Sequence, residues 1–303
     1  MAEESPSPPE SSAVPSQQPG LPEASSAAGA EASSAAGAEA SSAAAAEAAP
    51  LPASHWAEPP DGPTTANADP EKVFHGIWAI DFADQFPNAN VIGTDISPIQ
   101  PYWTPPNVRF EIDDATLEWT YKPNSFDYVH MRYLLGSIID WTALFNQAYK
   151  VLKPGGYLES YEASVRQESD DGSIPPGSAM DQWGKLFWEA GRKLRRSFRV
   201  YQDNLQVKAM EEAGFVDIQV WEFKAPIGGW PADPKLREIG EFAQMCTEAD
   251  IEGYILFVCH TVLGWSKEEV SVFVAHWRRQ VRSKKTHAFY RQRVVWGRKP
   301  EAA

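Results

Sequence analysis

The first 70 residues lack Lys and Arg entirely and contain a single aromatic side chain, Trp56. They hold ten Asp and Glu residues, and an eight-residue unit occurs as EASSAAGA at 23–30 and 31–38 and as EASSAAAA at 39–46. Such a segment buries too little apolar surface to offset the entropy of ordering its backbone. We therefore expect 1–70 to be a disordered tail rich in Ala, Ser, Pro and Glu.

Cysteine and long apolar runs are also scarce. Cys246 and Cys259 are the only cysteines, and neither lies in a C-x-x-C pair or near histidines at zinc spacing. Both are predicted to be buried, reduced thiols of an intracellular protein without a bound metal. No run of about 18 apolar residues exists, and the start at Met1 lacks the basic end and apolar run of a secretory signal. We expect no membrane contact and a cytoplasmic or nuclear location, or both.

The formal charge of −14 is unevenly distributed along the chain. Removing the ten acidic residues of 1–70 from the total of 41 leaves 31 acidic against 27 basic side chains in the remainder. Direct binding of nucleic acid requires Lys and Arg against phosphates, and this nearly balanced body offers no such excess. Nucleic acid is therefore not an expected direct partner.

Residues 71–303 are predicted to form one folded domain. Over the whole chain, 43% of the residues are hydrophobic, which is enough for a buried core. Apolar spacing predicts helices over 76–86, 141–152, 179–195, 205–213, 235–259 and 266–281, and strands over 90–95, 108–112, 126–131, 157–162, 215–221 and 291–297. Asp140 is a helix N-cap, Pro154-Gly155-Gly156 ends that helix, and Ser266 with Glu269 is a capping box. The alternation favours an α/β fold with a parallel sheet covered by helices on both faces, with an antiparallel edge from the last two strands.

Acidic residues follow the first two predicted strands. Asp95 ends the strand at 90–95 and lies 19 residues after Gly76, a spacing typical of the acid that accepts hydrogen bonds from both ribose hydroxyls of a nucleoside cofactor. The alternative is a turn carboxylate before Ser97. Asp113-Asp114-Ala115 follows the next strand, where an acid is able to accept from a purine amine or simply cap a turn.

Three polar residues end the third predicted strand, namely His130, Arg132 and Tyr133. A single histidine at a strand end is usually packed or solvated, so His130 is interpreted mainly as structural. Arg132 and Tyr133 are the better candidates for the substrate side.

Five blocks carry a resemblance to a known family: GIWAIDFADQFPNANVIGTDISPIQP, NVRFEIDDA, NSFDYVHMRYLLGSI, LKPGGYLES and HAFYRQRVVWGRKP. In this order they resemble the fungal methyltransferases of the LaeA-like, trans-aconitate-methyltransferase-like group, over about three quarters of the chain from Gly76 to Pro300. The resemblance implies a Rossmann-like class I fold, S-adenosyl-L-methionine as cofactor, and a small-molecule or protein methyl acceptor. Regulatory protein partners are also implied.

The same resemblance assigns site residues. It implies that Gly76, Asp95 and Ile96 contact the cofactor, with Asp95 at the ribose. Asp114 and Ala115 are implied to lie against the adenine, and the segment from His130 to Tyr133 to line the methionine and substrate side.

The chain departs from the family at the cofactor loop. The family has a strand and a D-x-G-x-G-x-G loop just before the G-I-W-A block, whereas residues 69–75 here read DPEKVFH and no G-x-G occurs anywhere. The loop's glycines let backbone N–H groups approach the cofactor, and the strand is normally central in the sheet. Two interpretations follow: a methyltransferase of impaired activity, or a non-catalytic binding or regulatory module that keeps the fold. The abrupt junction at 71–76 is typical of an alternative splice or a wrongly joined gene model.

Overall fold

The computed structural model describes residues 76–98, 101 and 103–301. The predicted disordered tail at 1–70 lies outside these residues, so it stays a prediction. The described part is α/β in the order predicted. No helix within these ranges has both the length and the apolar composition needed to cross a bilayer.

The first three elements form a small unit. Helix α1 (Ile77–Gln85) is followed by strands β1 (Val91–Asp95) and β2 (Val108–Ile112), which pair in parallel from Val91 opposite Val108 to Asp95 opposite Ile112. The Asn107 amide holds the unit together, since its Nδ2 donates to the carbonyls of Ala83, Phe86 and Ala89 at 3.0, 3.3 and 3.1 Å. α1 is thereby fixed against the start of β2.

The remaining strands form a second sheet, β3 (Phe126–Arg132), β4 (Leu152–Glu168), β5 (Val216–Ile227) and β6 (Ala288–Arg298), in the order β3-β4-β6-β5. β3 and β4 are parallel, and β6 runs antiparallel to both β4 and β5. The antiparallel edge expected from the last two strands is confirmed, since β5 and β6 pair antiparallel and β5 lies at the edge of this sheet. β6 is inserted between β4 and β5, where its residues pair on both sides and are mostly buried.

β1 is a strand, as predicted, but it is less buried than a strand covered by helices on both faces of a parallel sheet would be. None of its five residues is fully buried, and Thr94 is exposed. The reason is topological: within the described residues β1 pairs with β2 alone, and β3 pairs with β4 alone. The two sheets are therefore not joined by a strand ladder.

Helix α2 (Trp141–Val151) begins at Asp140, whose side chain accepts from the Ala143 N–H at 2.9 Å. It ends one residue before the prediction, and Pro154-Gly155-Gly156 lies inside β4 instead of forming a free turn. The C-terminal residues explain this, because the Gly155 N–H donates to the Lys299 carbonyl at 2.9 Å and the Lys299 N–H to the Gly156 carbonyl at 2.8 Å. The Lys299 ammonium then donates to the carbonyls of Tyr149 and Leu152, each at 2.7 Å, and to Asn124 Oδ1 at 2.8 Å.

The other helices are α3 (Ala179–Leu194), α4 (Leu205–Ala213), α5 (Pro234–Ala249), α6 (Ile251–Leu256), a π-helical turn (Phe257–Val262) and α7 (Lys267–Val281). The helix predicted at 235–259 is divided at Asp250, which leaves helical geometry and accepts from the Gly253 N–H at 2.9 Å to start α6. The capping box of Ser266 and Glu269 is confirmed.

Two apolar clusters make the core. One packs α3 and α7 around Met180 and the fully buried Trp277, whose Nε1 donates to Gln167 Oε1 at 2.9 Å. The other packs α2 and α4 around Phe145 and Leu158 of β4. Cys259 is buried in the first cluster as predicted, whereas Cys246 is only half-buried, so its predicted burial is wrong.

Candidate cofactor site

A cavity of about 960 Å³, which we call the central cavity, opens between β1 and β3. All residues of β1, Val91–Asp95, and all residues of β3, Phe126–Arg132, line it. Side chains on a strand alternate between faces, so lining by consecutive residues means that the cavity follows the main-chain edge of each strand. Trp78 and Phe82 of α1 also contribute to its wall.

Gly76 stands at the start of α1 and lines the central cavity. Its φ of +78° lies in the left-handed region, and a Cβ there would meet the Phe110 ring at 2.9 Å. Its carbonyl accepts from the N–H groups of Ala79 and Ile80 at 3.1 and 3.3 Å. Glycine is therefore required here by both conformation and space.

Asp95 ends β1 at the carboxyl end of the strand and lines the central cavity. Its Oδ1 accepts from the Ser97 N–H at 2.9 Å, and its carbonyl accepts from the Asp113 N–H at 3.0 Å. An ionised carboxylate has about four acceptor sites, so one turn hydrogen bond leaves capacity for a pair of hydroxyls. The neighbouring Ile96 is 70% exposed and does not line the cavity.

The acids after β2 divide between two environments. Asp113 and Ala115 line the central cavity, while Asp114 does not. Asp114 Oδ1 accepts from the N–H and the hydroxyl of Thr116 at 2.9 and 2.7 Å, and these hydrogen bonds lower the pKa of its carboxyl. In this structure Asp114 caps a turn, and Asp113, whose Oδ1 accepts from the Asp114 N–H at 2.9 Å, is the acidic residue that lines the cavity.

His130 forms a buried pair with Glu159 of β4. Its Nδ1 lies 3.0 Å from Glu159 Oε1, and the two side chains are only 9% and 4% exposed. The Trp78 ring stacks on the imidazole with ring centres 3.7 Å apart. Burial lowers the pKa of His130, although the Glu159 carboxylate opposes this shift. Because a carboxylate accepts hydrogen bonds, Nδ1 carries the hydrogen and Nε2 presents a lone pair, which has no partner among the described residues.

Arg132 is the last residue of β3, and Tyr133 follows it. From the sequence, both are predicted to lie on the substrate side. The Arg132 guanidinium lies over the rings of Tyr133 and Tyr161, at 4.9 and 4.7 Å from their centres. Tyr133 has a φ of +55°, and its hydroxyl donates to Gln292 Oε1 at 3.2 Å. Burial raises the pKa of Tyr161. The structure thus brings Gly76, Asp95, Ala115, His130 and Arg132 to one cavity, with Tyr133 beside it.

Glu162 holds the loop after Tyr133 in place. This fully buried carboxyl of β4 accepts from the Leu134 N–H at 2.8 Å and from the Leu135 N–H at 3.0 Å. Burial raises the pKa of Glu162 to about 8, against the opposing effect of these two hydrogen bonds. Sequence reasoning missed both Glu159 and Glu162, although two acids within a predicted strand, at 159 and 162, were the available signal.

These features define the class of fold: an α/β domain in which one cavity follows the edges of β1 and β3, two strands that each belong to a parallel pair. A profile of the methyltransferase domain family matches residues 75–220. The methyltransferase pytC of Aspergillus terreus is 37% identical over 226 residues, covering 74% of this chain and 69% of that protein. The secondary metabolism regulator LAE1 of Cochliobolus heterostrophus is 32% identical over 229 residues, covering 75% and 74%.

The chain therefore belongs to the LaeA-like family of fungal methyltransferases, as the sequence blocks indicate. Among solved structures, phosphoethanolamine N-methyltransferase 2 of Haemonchus contortus is 21% identical, with a TM-score of 0.43 over 72% of this chain and 45% of that one. The family's cofactor is S-adenosylmethionine.

The residues of this chain fit one half of that cofactor. Asp95 has free acceptor capacity at the end of β1, and Asp113 and Ala115 face the same cavity, which suits a ribose and an adenine. For the methionine half, the described residues offer no comparable cradle: of the glycine loop only Gly76 is present in the sequence, and its carbonyl is engaged within α1. The residues that the structure describes therefore suit the adenosine half better than the methionine half.

Proposed function

We propose that this chain binds the adenosine half of S-adenosylmethionine in the central cavity and is a methyltransferase of low activity. The acceptor class is a small molecule or a protein. The observation that carries the proposal is the Asp95 carboxylate, which lines the cavity at the end of β1 beside residues from the end of β2. A cavity of about 960 Å³ lies within the range of roughly 300–1,000 Å³ typical of small-molecule sites.

When bound, the cofactor supplies a sulfonium methyl group. What this chain contributes is positioning, on which methyl transfer largely depends. Asp95 orients the sugar, while Arg132 and Tyr133 lie on the side where an acceptor would approach. Because the N–H donors of a glycine loop are absent from the sequence, we expect weak binding of the methionine end and a low transfer rate.

Calorimetry with S-adenosylhomocysteine tests the proposal. We expect measurable binding by the wild-type chain and a loss of about 10- to 100-fold in Asp95→Ala, since a hydrogen bond to a charged group contributes roughly 1.5–3 kcal/mol. Asp84→Ala is the matched control, because it removes an exposed carboxylate of α1 that does not line the cavity. Equal affinity in all three proteins would remove Asp95 from the site.

A second candidate is a non-catalytic binding or regulatory module. It is favoured by one observation, the separation of the two sheets, which leaves β1 and β3 each with a single strand neighbour in the described part of the chain. The relative LAE1 is named as a regulator of secondary metabolism. Cooperative unfolding would show that the chain is folded. If such a folded chain gives no heat of binding with millimolar S-adenosylhomocysteine, this second function replaces the first. An intracellular location is part of both proposals.

A further inference from the structure

We propose that the central cavity is a docking slot for one extended, mainly apolar peptide strand of a partner protein, which would join the two sheets by pairing with β1 and β3. This goes beyond the adenosine site, and it requires no cofactor. The argument depends on the main-chain edges of the two strands, on the surroundings of the slot, and on the content of the rest of the chain.

Among the described strands, β1 pairs along one edge only, and its pairing with β2 shows which main-chain groups lie on the other edge, here called its free edge. The Val91 N–H donates to Asn107 and the Asp95 carbonyl accepts from Asp113, so the main-chain groups of odd-numbered residues in β1 point toward β2. On a parallel strand the N–H and C=O of successive residues alternate between the two edges. The main-chain groups of Ile92 and Thr94 therefore point away from β2, along the edge that lines the central cavity.

The free edge of β3 follows in the same way. The Ser125 N–H donates to the Val151 carbonyl and the Tyr133 N–H to the Tyr161 carbonyl, so odd-numbered residues point toward β4. The main-chain groups of Tyr128 and His130 then point away from β4, again along the cavity. Two rows of strand donors and acceptors thus flank one cavity, and an extended backbone is the ligand that matches both.

The side of the slot that α1 forms favours apolar side chains on the occupant. The rings of Trp78 and Phe82 lie over His130 and Tyr128, with centres 3.7 and 5.9 Å apart, so aromatic faces from α1 cover one side of β3. Phe86 and Phe110 add further apolar lining. Buried at this wall, His130 Nε2 presents a lone pair without a described partner, which an N–H or hydroxyl of an occupant would satisfy.

The length of the occupant follows from the edges. β1 has five residues and β3 has seven, so five to seven residues are needed for full pairing. Residues 1–75 contain no Ile or Tyr, and Val73-Phe74 is their only adjacent pair drawn from Val, Leu, Phe and Trp. The sequence of residues 1–75 therefore contains no apolar run of five to seven residues. A second copy would have to give up a paired strand and open a gap of its own, which leaves a partner peptide.

The test uses the full chain and, as probe, the peptide fluorescein-Lys-Val-Ile-Val-Ile-Val-Lys-amide, in the absence of S-adenosylmethionine and S-adenosylhomocysteine. We expect binding by fluorescence anisotropy, together with new hydrogen-exchange protection, read by NMR, at the amides of Ile92, Thr94, Tyr128 and His130. The matched control peptide has both isoleucine amides N-methylated. It keeps the side chains but loses the donors toward one edge, so we expect its affinity to be at least about tenfold lower.

A pair of variants at Thr94 repeats the test from the protein side. Thr94→Pro removes one cavity-facing N–H without removing a hydrogen bond to β2, and should weaken the peptide about tenfold. Thr94→Val keeps the N–H and should bind like wild type. If Thr94→Pro fails to fold, the N-methylated peptide on the wild-type chain still decides the question.

Three results would overturn the proposal. The first is no binding at millimolar peptide, and the second is equal binding of the N-methylated peptide. The third is that the amides of Ile92, Thr94, Tyr128 and His130 are already protected from hydrogen exchange when no peptide is present. In the last case, protection that is independent of concentration would assign the slot to residues 69–75, and concentration-dependent protection would assign it to a second copy. Since the assay contains no S-adenosylhomocysteine, its failure is distinct from a failure of the adenosine site.

Discussion

Replacing Glu162 by Gln should reveal a buried carboxyl that is neutral in the folded protein at mildly acidic pH. The substitution keeps shape and removes the ionisable group. At pH 5 wild type has a protonated carboxyl at position 162 and the variant has an amide. Each group presents one carbonyl oxygen as acceptor to the N–H groups of Leu134 and Leu135. We therefore expect the free energies of unfolding of wild type and Glu162→Gln to agree within about 1 kcal/mol at that pH.

The two proteins should separate as the pH rises. Burial raises the pKa of Glu162 in the folded chain to about 8, from a usual value of 4.5. Between these values the folded state keeps a proton that the unfolded state releases, so the contribution of this group is fully present below pH 4.5 and is lost as the pH rises toward 8. Since one pKa unit corresponds to about 1.4 kcal/mol, wild type should lose roughly 3 to 4 kcal/mol relative to Glu162→Gln between pH 5 and pH 8.

Urea unfolding of both proteins at pH 5, 6, 7 and 8 measures this difference, and every other titrating group cancels between them. Glu238→Gln is the matched control, because Glu238 is exposed on α5 and its substitution should change the free energy of unfolding by no more than about 0.5 kcal/mol at each pH. A Glu162→Gln protein that becomes less stable than wild type as the pH rises would refute the reasoning. It would show that the two N–H groups outweigh burial and keep the carboxylate ionised.

Three further substitutions test the packing around the two sheets. Lys299→Met removes an ammonium that donates to an amide oxygen and to two carbonyls near the end of α2. Urea unfolding should show a loss of about 1–3 kcal/mol in the free energy of unfolding, and no change would mean that solvent replaces these contacts. Trp277→Ala empties a fully buried site and orphans Gln167, so we expect a loss of about 3–5 kcal/mol by the same assay, and a loss below 1 kcal/mol would contradict the core described above. Gly93→Ala makes the added Cβ clash with the Phe110 ring and should lower the thermal midpoint, at a cost of about 1–3 kcal/mol; an unchanged midpoint would mean that the ring moves freely.

Much of the candidate site was predictable because its residues follow strands. Asp95 ends a short strand and Ala115 lies shortly after the next one, and the carboxyl ends of these two paired parallel strands lie side by side. His130 and Arg132 line the same cavity although β3 belongs to the other sheet. The predicted roles of these residues toward cofactor and acceptor remain proposals.

The partners of the site residues were not predictable. Glu159 and Glu162 lie in β4, about 30 residues after the segment they contact, and nothing in local sequence pairs them with His130 or with the loop after Tyr133. Their contacts exist because β3 and β4 pair in one particular register. The choice between Asp113 and Asp114 as the cavity-facing acid likewise depends on the Thr116 turn.

The amino-acid sequence alone determined the order and type of the elements, because apolar spacing, caps and turn residues act over a few positions. It also determined the family and the absence of a glycine loop. Only the tertiary structure decided that β6 enters between β4 and β5, that α1 rests its aromatic rings on β3, and that two strand edges face one cavity. These features depend on pairing between residues distant in the chain, where hydrogen-bond partners and burial are chosen by the whole fold and not by neighbouring residues.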